Sequence, residues 1–454
     1  MPTQINSYIL KFNSPDHFIV KLYLGLLTLN ALSAYSFSGI PLPWLANVAA
    51  IGLVFILFFI SKIPSLPGMR IFFLLFILAL LLTIYKSITA DYDNIMPPLA
   101  NSSYSLFISL RFLVMLSFAG IATITYFLCK KGYTNYIIEA ITTIGFILSI
   151  YAIYVYFAQL YNLPELPRTR AGTDGWEQHT SFSYPFHRAM GTFREPSHLA
   201  EWLIVPYFFS FFKNTSLLEY RKITIGIVLV LTGSITGIIG VVSGIVLSFC
   251  FVITTTKVRT RNPVNREVLI TWSIPILLIG TETVVIAGGL SLLPGNQNSA
   301  MIIMETLYSR INTLLAGGLG ATNRAYIYDN LKSLDISIFG YGIGNANILI
   351  TESVKTDGMA SFLSLYSYYL YGTGIIGLLL LLAFLAYPVI RLIRYPNAAS
   401  SKMALLIVAG YAGWLVMYFG HSEELTLLFG VLYGLLVYLS SEKFMSSAEI
   451  PKYC

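Results

Sequence analysis

Residues 223–256 read ITIGIVLVLTGSITGIIGVVSGIVLSFCFVITTT, a run from Ile223 to Thr256 without a single charge. A membrane-crossing helix takes about 20 apolar residues, so the run is too long for one span unless steeply tilted. Its middle, Leu231-Thr-Gly-Ser-Ile-Thr-Gly-Ile-Ile-Gly240, gathers glycine and hydroxyl residues, which are weak helix formers. Two short helices meeting at a break near the outer face is the reading that follows. The choice decides the fold, because a single span would reverse every later segment. It would also move Lys257, Arg259, Arg261 and Arg266 to the outer side, against the enrichment of basic residues in cytoplasmic loops.

Working outward, further apolar segments occupy 18–37, 43–61, 69–87, 105–129, 137–160, 196–213, 268–291, 374–393, 402–419 and 423–440. With the pair in 223–256 this makes about 12 transmembrane helices with both termini cytoplasmic, an all-α polytopic membrane protein in one transmembrane domain over 1–454. Only 11% of the residues are charged against 56% hydrophobic, and the mean hydropathy is +0.72; a soluble domain carries about 25% charge, so soluble classes are excluded. The net charge of +7 then reads as topology rather than as a nucleic-acid surface, and no nucleic-acid partner is expected. Cys129, Cys250 and Cys454 are too few and too scattered for a disulfide framework or a metal cluster. The first seventeen residues are too polar for a cleavable signal peptide, so the first apolar segment is expected to stay as an anchor.

Two long outer loops result, 161–195 and 292–359. In the second, Met304, Leu307, Tyr308, Ile311, Leu314 and Leu315 recur at helical spacing opposite Glu305, Ser309 and Asn312, the pattern of an amphipathic helix at a membrane surface. Beyond Gly317-Gly-Leu-Gly320, Thr322 is placed to cap a helix that sets Arg324, Tyr328 and Lys332 on one face.

The chemistry-bearing residues concentrate in Arg188-Ala-Met-Gly-Thr-Phe-Arg-Glu-Pro-Ser-His-Leu-Ala-Glu201. Charge beside hydrocarbon is expensive and marks a functional site. Arg188 and Arg194 bracket a Gly-Thr-Phe turn, and Arg324 reaches the same face from the second loop. Arginine binds phosphate oxygens through a planar fork and keeps its charge, so these three suit a pyrophosphate without a metal. Asp91-Tyr-Asp93 reads as a solvated turn rather than a metal site, and no cofactor is called for. Pro196 should open a helix with Glu195 at its N-cap. His198 and Glu201, three apart, share a face; His198 and Glu195 are the two candidates for accepting a proton. Arg111 lies inside the fourth span, where it either pairs with a buried acid such as Glu201 or Glu282 or makes a second phosphate contact. Arg168 and Arg170 read as interfacial anchors, and His421-Ser-Glu-Glu424 as a solvated polar rim. Tyr326 and Tyr328, beside Arg324, suit stacking on sugar faces.

The motifs Gly191-Thr-Phe-Arg-Glu-Pro-Ser197, Thr232-Gly-Ser-Ile-Thr236, Asn323-Arg-Ala-Tyr326, Phe339-Gly-Tyr-Gly-Ile-Gly344 and Gly374-Ile-Ile-Gly377 occur in an order that resembles the bacterial O-antigen polymerase and O-antigen ligase superfamily over residues 140–440. The resemblance implies an all-helical, GT-C-like, inverting membrane glycosyltransferase of the bacterial inner membrane, working without a metal on its outer, periplasmic side. It implies an undecaprenyl-pyrophosphate-linked oligosaccharide as donor, membrane lipid around it, and a chain-length regulator and a flippase as partners. Ligase-type members carry a His-Asn pair ahead of the Gly-x-x-Gly helix, whereas Met359-Ala-Ser-Phe-Leu-Ser-Leu365 has no histidine. That departure favours a polymerase of O-antigen, capsule or exopolysaccharide. The alternatives are a ligase that moves finished glycan to lipid A core or protein, and a lipid-linked oligosaccharide transporter.

Overall fold

In hydrocarbon every backbone N–H and C=O must find a partner within the protein, which makes helix the default for the apolar runs. A computed structural model of the chain describes residues 15–60, 64–97, 103–170, 188–212, 219–259, 334–354, 359–394, 401–420 and 422–441. Among the described residues twelve helices form: α1 Pro15–Asn30, α2 Leu42–Ile60, α3 Met69–Thr89, α4 Tyr104–Lys130, α5 Thr134–Tyr161, α6 Pro196–Ser210, α7 Tyr220–Leu231, α8 Ile235–Arg259, α9 Asn345–Val354, α10 Leu365–Ile393, α11 Lys402–Met417 and α12 Leu427–Leu439. Six of them, α2, α3, α4, α5, α8 and α10, are long and apolar enough to cross a membrane by length and composition. The chain is an all-α membrane protein. The expected span at 268–291 and the surface-helix pattern of 304–332 lie outside the described residues.

The break expected in 223–256 is present: α7 stops at Leu231, Gly233 takes φ 55°, and α8 starts at Ile235. Ser234 restarts the helix by accepting a hydrogen bond from Gly237 N–H through its Oγ. The first apolar segment is shorter than expected. α1 ends at Asn30 and the chain makes a two-residue hairpin, β1 (Ser36–Phe37) pairing antiparallel with β2 (Ile40–Pro41). Ser38 and Gly39, at φ 50° and 82°, form the doubly left-handed turn that suits strand twist. The 374–393 segment also differs, since α10 begins nine residues earlier, at Leu365, and is interrupted at Gly374.

α4 is the spine, with 83% of its apolar window buried against 22% for α3 at the periphery. It packs on α2 and α12, while α10 packs on α3 and α11 on α8. Lipid offers helices no hydrophobic drive to associate, so contact depends on close packing. Phe72, Phe118, Phe384, Phe429 and Tyr433 interlock at the centre with ring centroids 4.4–6.1 Å apart. Between α8 and α11, glycines bring backbones together: a Cβ at Gly413 would lie 2.6 Å from the carbonyl oxygen of Gly240.

The two ends of the bundle differ in chemistry. One carries Lys130, Lys131, Arg221, Lys222, Arg391 and Lys402, with Arg221 paired to Glu139 at 2.7 Å and Arg391 donating to the Ser440 carbonyl. The other gathers the end of α1, the start of α6, the α7–α8 break, the glycine-rich turn before α9 and the turn before α12.

Candidate functional site

The turn Met190–Phe193 is held from three directions. Thr192 Oγ1 donates to the Ala31 carbonyl at 2.8 Å, and the Thr192 carbonyl accepts from Ala34 N–H. These contacts satisfy backbone groups left over where α1 stops. Arg168 donates to the carbonyls of Gly191 (3.1 Å) and Phe193 (3.3 Å) and lies 2.6 Å from Met190 Sδ. Arg170 donates to the Ser33 carbonyl at 2.9 Å. Of the two arginines expected to be lipid anchors, Arg168 therefore ties the two ends of the first outer loop together and Arg170 ties that loop to the segment after α1. Gly191 sits at φ 51° with α5 beside it, where a Cβ would come 2.9 Å from that of Ala152.

Arg188 is buried, and its Nε donates to the Thr232 carbonyl at 2.7 Å while Ala189 N–H reaches the Leu231 carbonyl. It thus caps the end of α7, so part of its guanidinium serves the break. Arg194 is exposed, with its backbone N–H on Ser33 Oγ. Burial lowers the pKa of Arg170, the charge of Arg194 lowers it further, and Glu424 opposes both. Arg170, Arg194 and Glu424 accordingly share one electrostatic neighbourhood.

Glu195 occupies the N-cap of α6 as expected, with Pro196 in the first turn, but its carboxylate does not cap; it accepts from Ser197 Oγ at 3.3 Å. His198 and Glu201 share a face, Nδ1 lying 3.7 Å from Oε2. His198 is half-exposed and Glu201 is buried near Tyr418. The same helix packs against the break, since a Cβ at Gly237 would meet Ala200.

Among the described residues Arg111 pairs with Glu423 and Glu424 rather than with Glu201, and Glu282 lies outside the described residues. Arg111 Nη1 lies 2.8 Å from Glu423 Oε1 and is also hydrogen-bonded to Glu424 Oε1. The rings of Phe107 and Tyr368 flank the guanidinium at 4.9 and 5.8 Å, where a cation is favoured. Glu423 is not a solvated rim residue. It is buried and also accepts from Phe362 N–H (2.7 Å), Ser361 Oγ (2.9 Å) and Asn347 Nδ2 (3.1 Å). Removing a carboxylate from water costs several kcal/mol unless its lone pairs are filled, and here they are.

The glycine-rich turn is the other unanticipated part. Residues 337–342 run across the interruption in α10: Tyr341 N–H and Gly342 N–H donate to the Tyr371 and Gly372 carbonyls at 2.8 Å, and Ile375 N–H to the Ser337 carbonyl. Gly374, at φ 72°, leaves no room for a Cβ beside the Ile338 carbonyl. The turn then bonds to α3 through Ile343 N–H and Thr83 Oγ1, and to α4 through Tyr104 and Asn345.

Asp91 and Asp93 are exposed beside an open cavity of about 290 Å³ that Ser87, Thr89, Tyr92 and Tyr104 help to line. Among the described residues no three His, Cys, Asp or Glu side chains are grouped for a metal ion. Arg324, Tyr326 and Tyr328 lie outside the described residues. The structure thus brings Arg188, Arg194, Glu195, His198 and Glu201 to one end of the bundle with Arg111. Sequence reasoning missed the functions of Glu423, Asn347 and Arg168. A lone arginine in a span and adjacent glutamates in a turn were a visible charge balance that could have linked Arg111 to 423–424. Comparison with known protein families, curated proteins and solved structures gives no match.

Proposed function

We propose that the chain is a metal-independent membrane glycosyltransferase that polymerises undecaprenyl-pyrophosphate-linked oligosaccharide repeats on the outer side of a bacterial inner membrane. The growing glycan leaves its lipid pyrophosphate and is taken by a hydroxyl of the incoming repeat unit. Arg194, with Arg188 and Arg324, binds the pyrophosphate; a carboxylate or imidazole at the same end of the bundle removes the proton. The observation that carries this reading is the exposed Arg194 beside Arg170 at the end of the bundle. His198 on α6 and Glu424 before α12 lie at that same end. Cations fixed where a leaving group gains charge stabilise the transition state without reorganisation, and the acceptor's base must stand within reach of them.

The second reading is a lipid-linked oligosaccharide transporter. It draws on the interrupted α10, since broken helices build midplane sites in transporters. A deletion strain separates the two. Single-repeat glycan at the cell surface supports polymerisation, while lipid-linked repeats stranded on the cytoplasmic face support transport.

A further inference from the structure

α4 brings one positive charge to the site end, about 10 Å below its first residue, and two adjacent carboxylates meet it there. They are not equivalent. Glu423 has 7% side-chain exposure and is saturated by donors from α9 and from 361–362, so it and Arg111 form a neutral, buried pair. Glu424 is left as a surplus negative charge with 37% side-chain exposure. Its Oε1 is fixed by Arg111 Nη1, and no hydrogen bond from the described residues reaches Oε2. Ser422 Oγ braces its backbone, accepting from Glu424 N–H and donating to the Glu424 carbonyl. Two residues later Thr426 caps α12. A carboxylate with one oxygen anchored and the other open has a fixed direction without being spent on structure. It also lies within electrostatic reach of Arg170, which shares Ser33 as a hydrogen-bond partner with Arg194, one of the arginines assigned to the pyrophosphate.

The competing candidates are less well placed. Glu195, the N-cap of α6, already accepts from Ser197 Oγ. The imidazole of His198 faces Glu201.

The geometry points to Glu424 as the general base of the transfer reaction, acting on the acceptor hydroxyl of a lipid-linked glycan; this rests on the glycosyltransferase reading above. The acceptor O–H gives its proton to Glu424 Oε2, and the freed oxygen pair forms the bond to the donor's anomeric carbon. The bond from that carbon to the pyrophosphate oxygen breaks, and its electron pair leaves on undecaprenyl pyrophosphate, opposite Arg194. Glu424 then returns the proton to water. Arg111 is a positioning residue: it holds Oε1 so that Oε2 faces the acceptor.

The test uses the full chain in lipid nanodiscs and, as probe, the undecaprenyl-pyrophosphate-linked glycan extracted from a strain lacking the protein. Chain extension is followed on gels. Wild type extends the glycan, and failure to do so overturns the glycosyltransferase reading itself. Given extension, Glu424→Gln should slow it at least 100-fold, the lower bound of what a positioned base contributes, with the melting temperature and the KM for the glycan unchanged. Glu424→Ala should regain at least tenfold with added formate, a readout that a structural carboxylate would not move. A Glu424→Gln rate within threefold of wild type, or a folded Glu424→Ala that ignores formate, overturns the proposal. If both variants fail to fold, Glu424→Asp keeps the charge on Arg111 and is assayed instead. A loss of tenfold or more from the shifted carboxylate supports the base, and an unchanged rate overturns it.

Discussion

Arg111 and Glu423 show what a single buried charge demands of its surroundings. Their sequence separation is over 300 residues, so nothing local in either segment names the partner; the sequence shows only that an arginine in a span must have one. Replacing Arg111 with leucine leaves Glu423 buried without its cation and should cost about 3–5 kcal/mol, seen as a lowered melting temperature in detergent. Adding Glu423→Gln should recover part of that loss, which a thermal-shift comparison of the single and double variants checks. Arg168 carries a smaller burden. Arg168→Ala removes the donors to Gly191 and Phe193 and should cost about 1–3 kcal/mol. It should also raise protease cleavage in the loop before α6. That role was not legible, because an arginine near a span end fits lipid headgroups equally well until its carbonyl partners are known.

Among the elements, the α7–α8 break was readable and the break in α10 was not. The first announces itself in composition, with Thr232, Gly233, Ser234 and Gly237 set between two apolar stretches. The second depends on pairing with 337–342, whose glycines alone read as an ordinary turn. Only the partner carbonyls of Tyr371 and Gly372 give that segment its purpose. Gly374→Ala should therefore be severe. It forces an L side chain into φ 72° and onto the Ile338 carbonyl, at a cost of about 1–3 kcal/mol for the backbone conformation alone. Hydrogen exchange should then show lost protection at the amides of Tyr341 and Gly342, with α4 and α12 unaffected. The shortened α1 has a simpler cause: Ser33 and Ser36, with Ser38-Gly39 just beyond, make the last third of 18–37 a turn and the first strand of a hairpin rather than a span.

For the molecule as a whole, basic residues gather at one end and mixed charge at the other, and the proposed function takes the mixed end to face outward, as the enrichment of basic residues in cytoplasmic loops suggests. Placed singly in a cysteine-free variant, Asp91→Cys at the mixed end should react with a membrane-impermeant maleimide from outside permeabilised cells. Lys131→Cys at the basic end should react only after the inner membrane is opened. The reverse pattern would put the proposed site on the cytoplasmic face, where no outer-leaflet glycan could reach it. The central claim is that Arg194 and its neighbours bind the leaving pyrophosphate of a polymerisation reaction. Its most direct measurement is the gel profile of surface glycan from a deletion strain complemented with wild type or with Arg194→Ala. The account predicts a ladder of long chains with wild type and a single-repeat band with Arg194→Ala at equal protein level. A full ladder with Arg194→Ala, or full-length glycan accumulating on undecaprenyl pyrophosphate in the deletion, would contradict it.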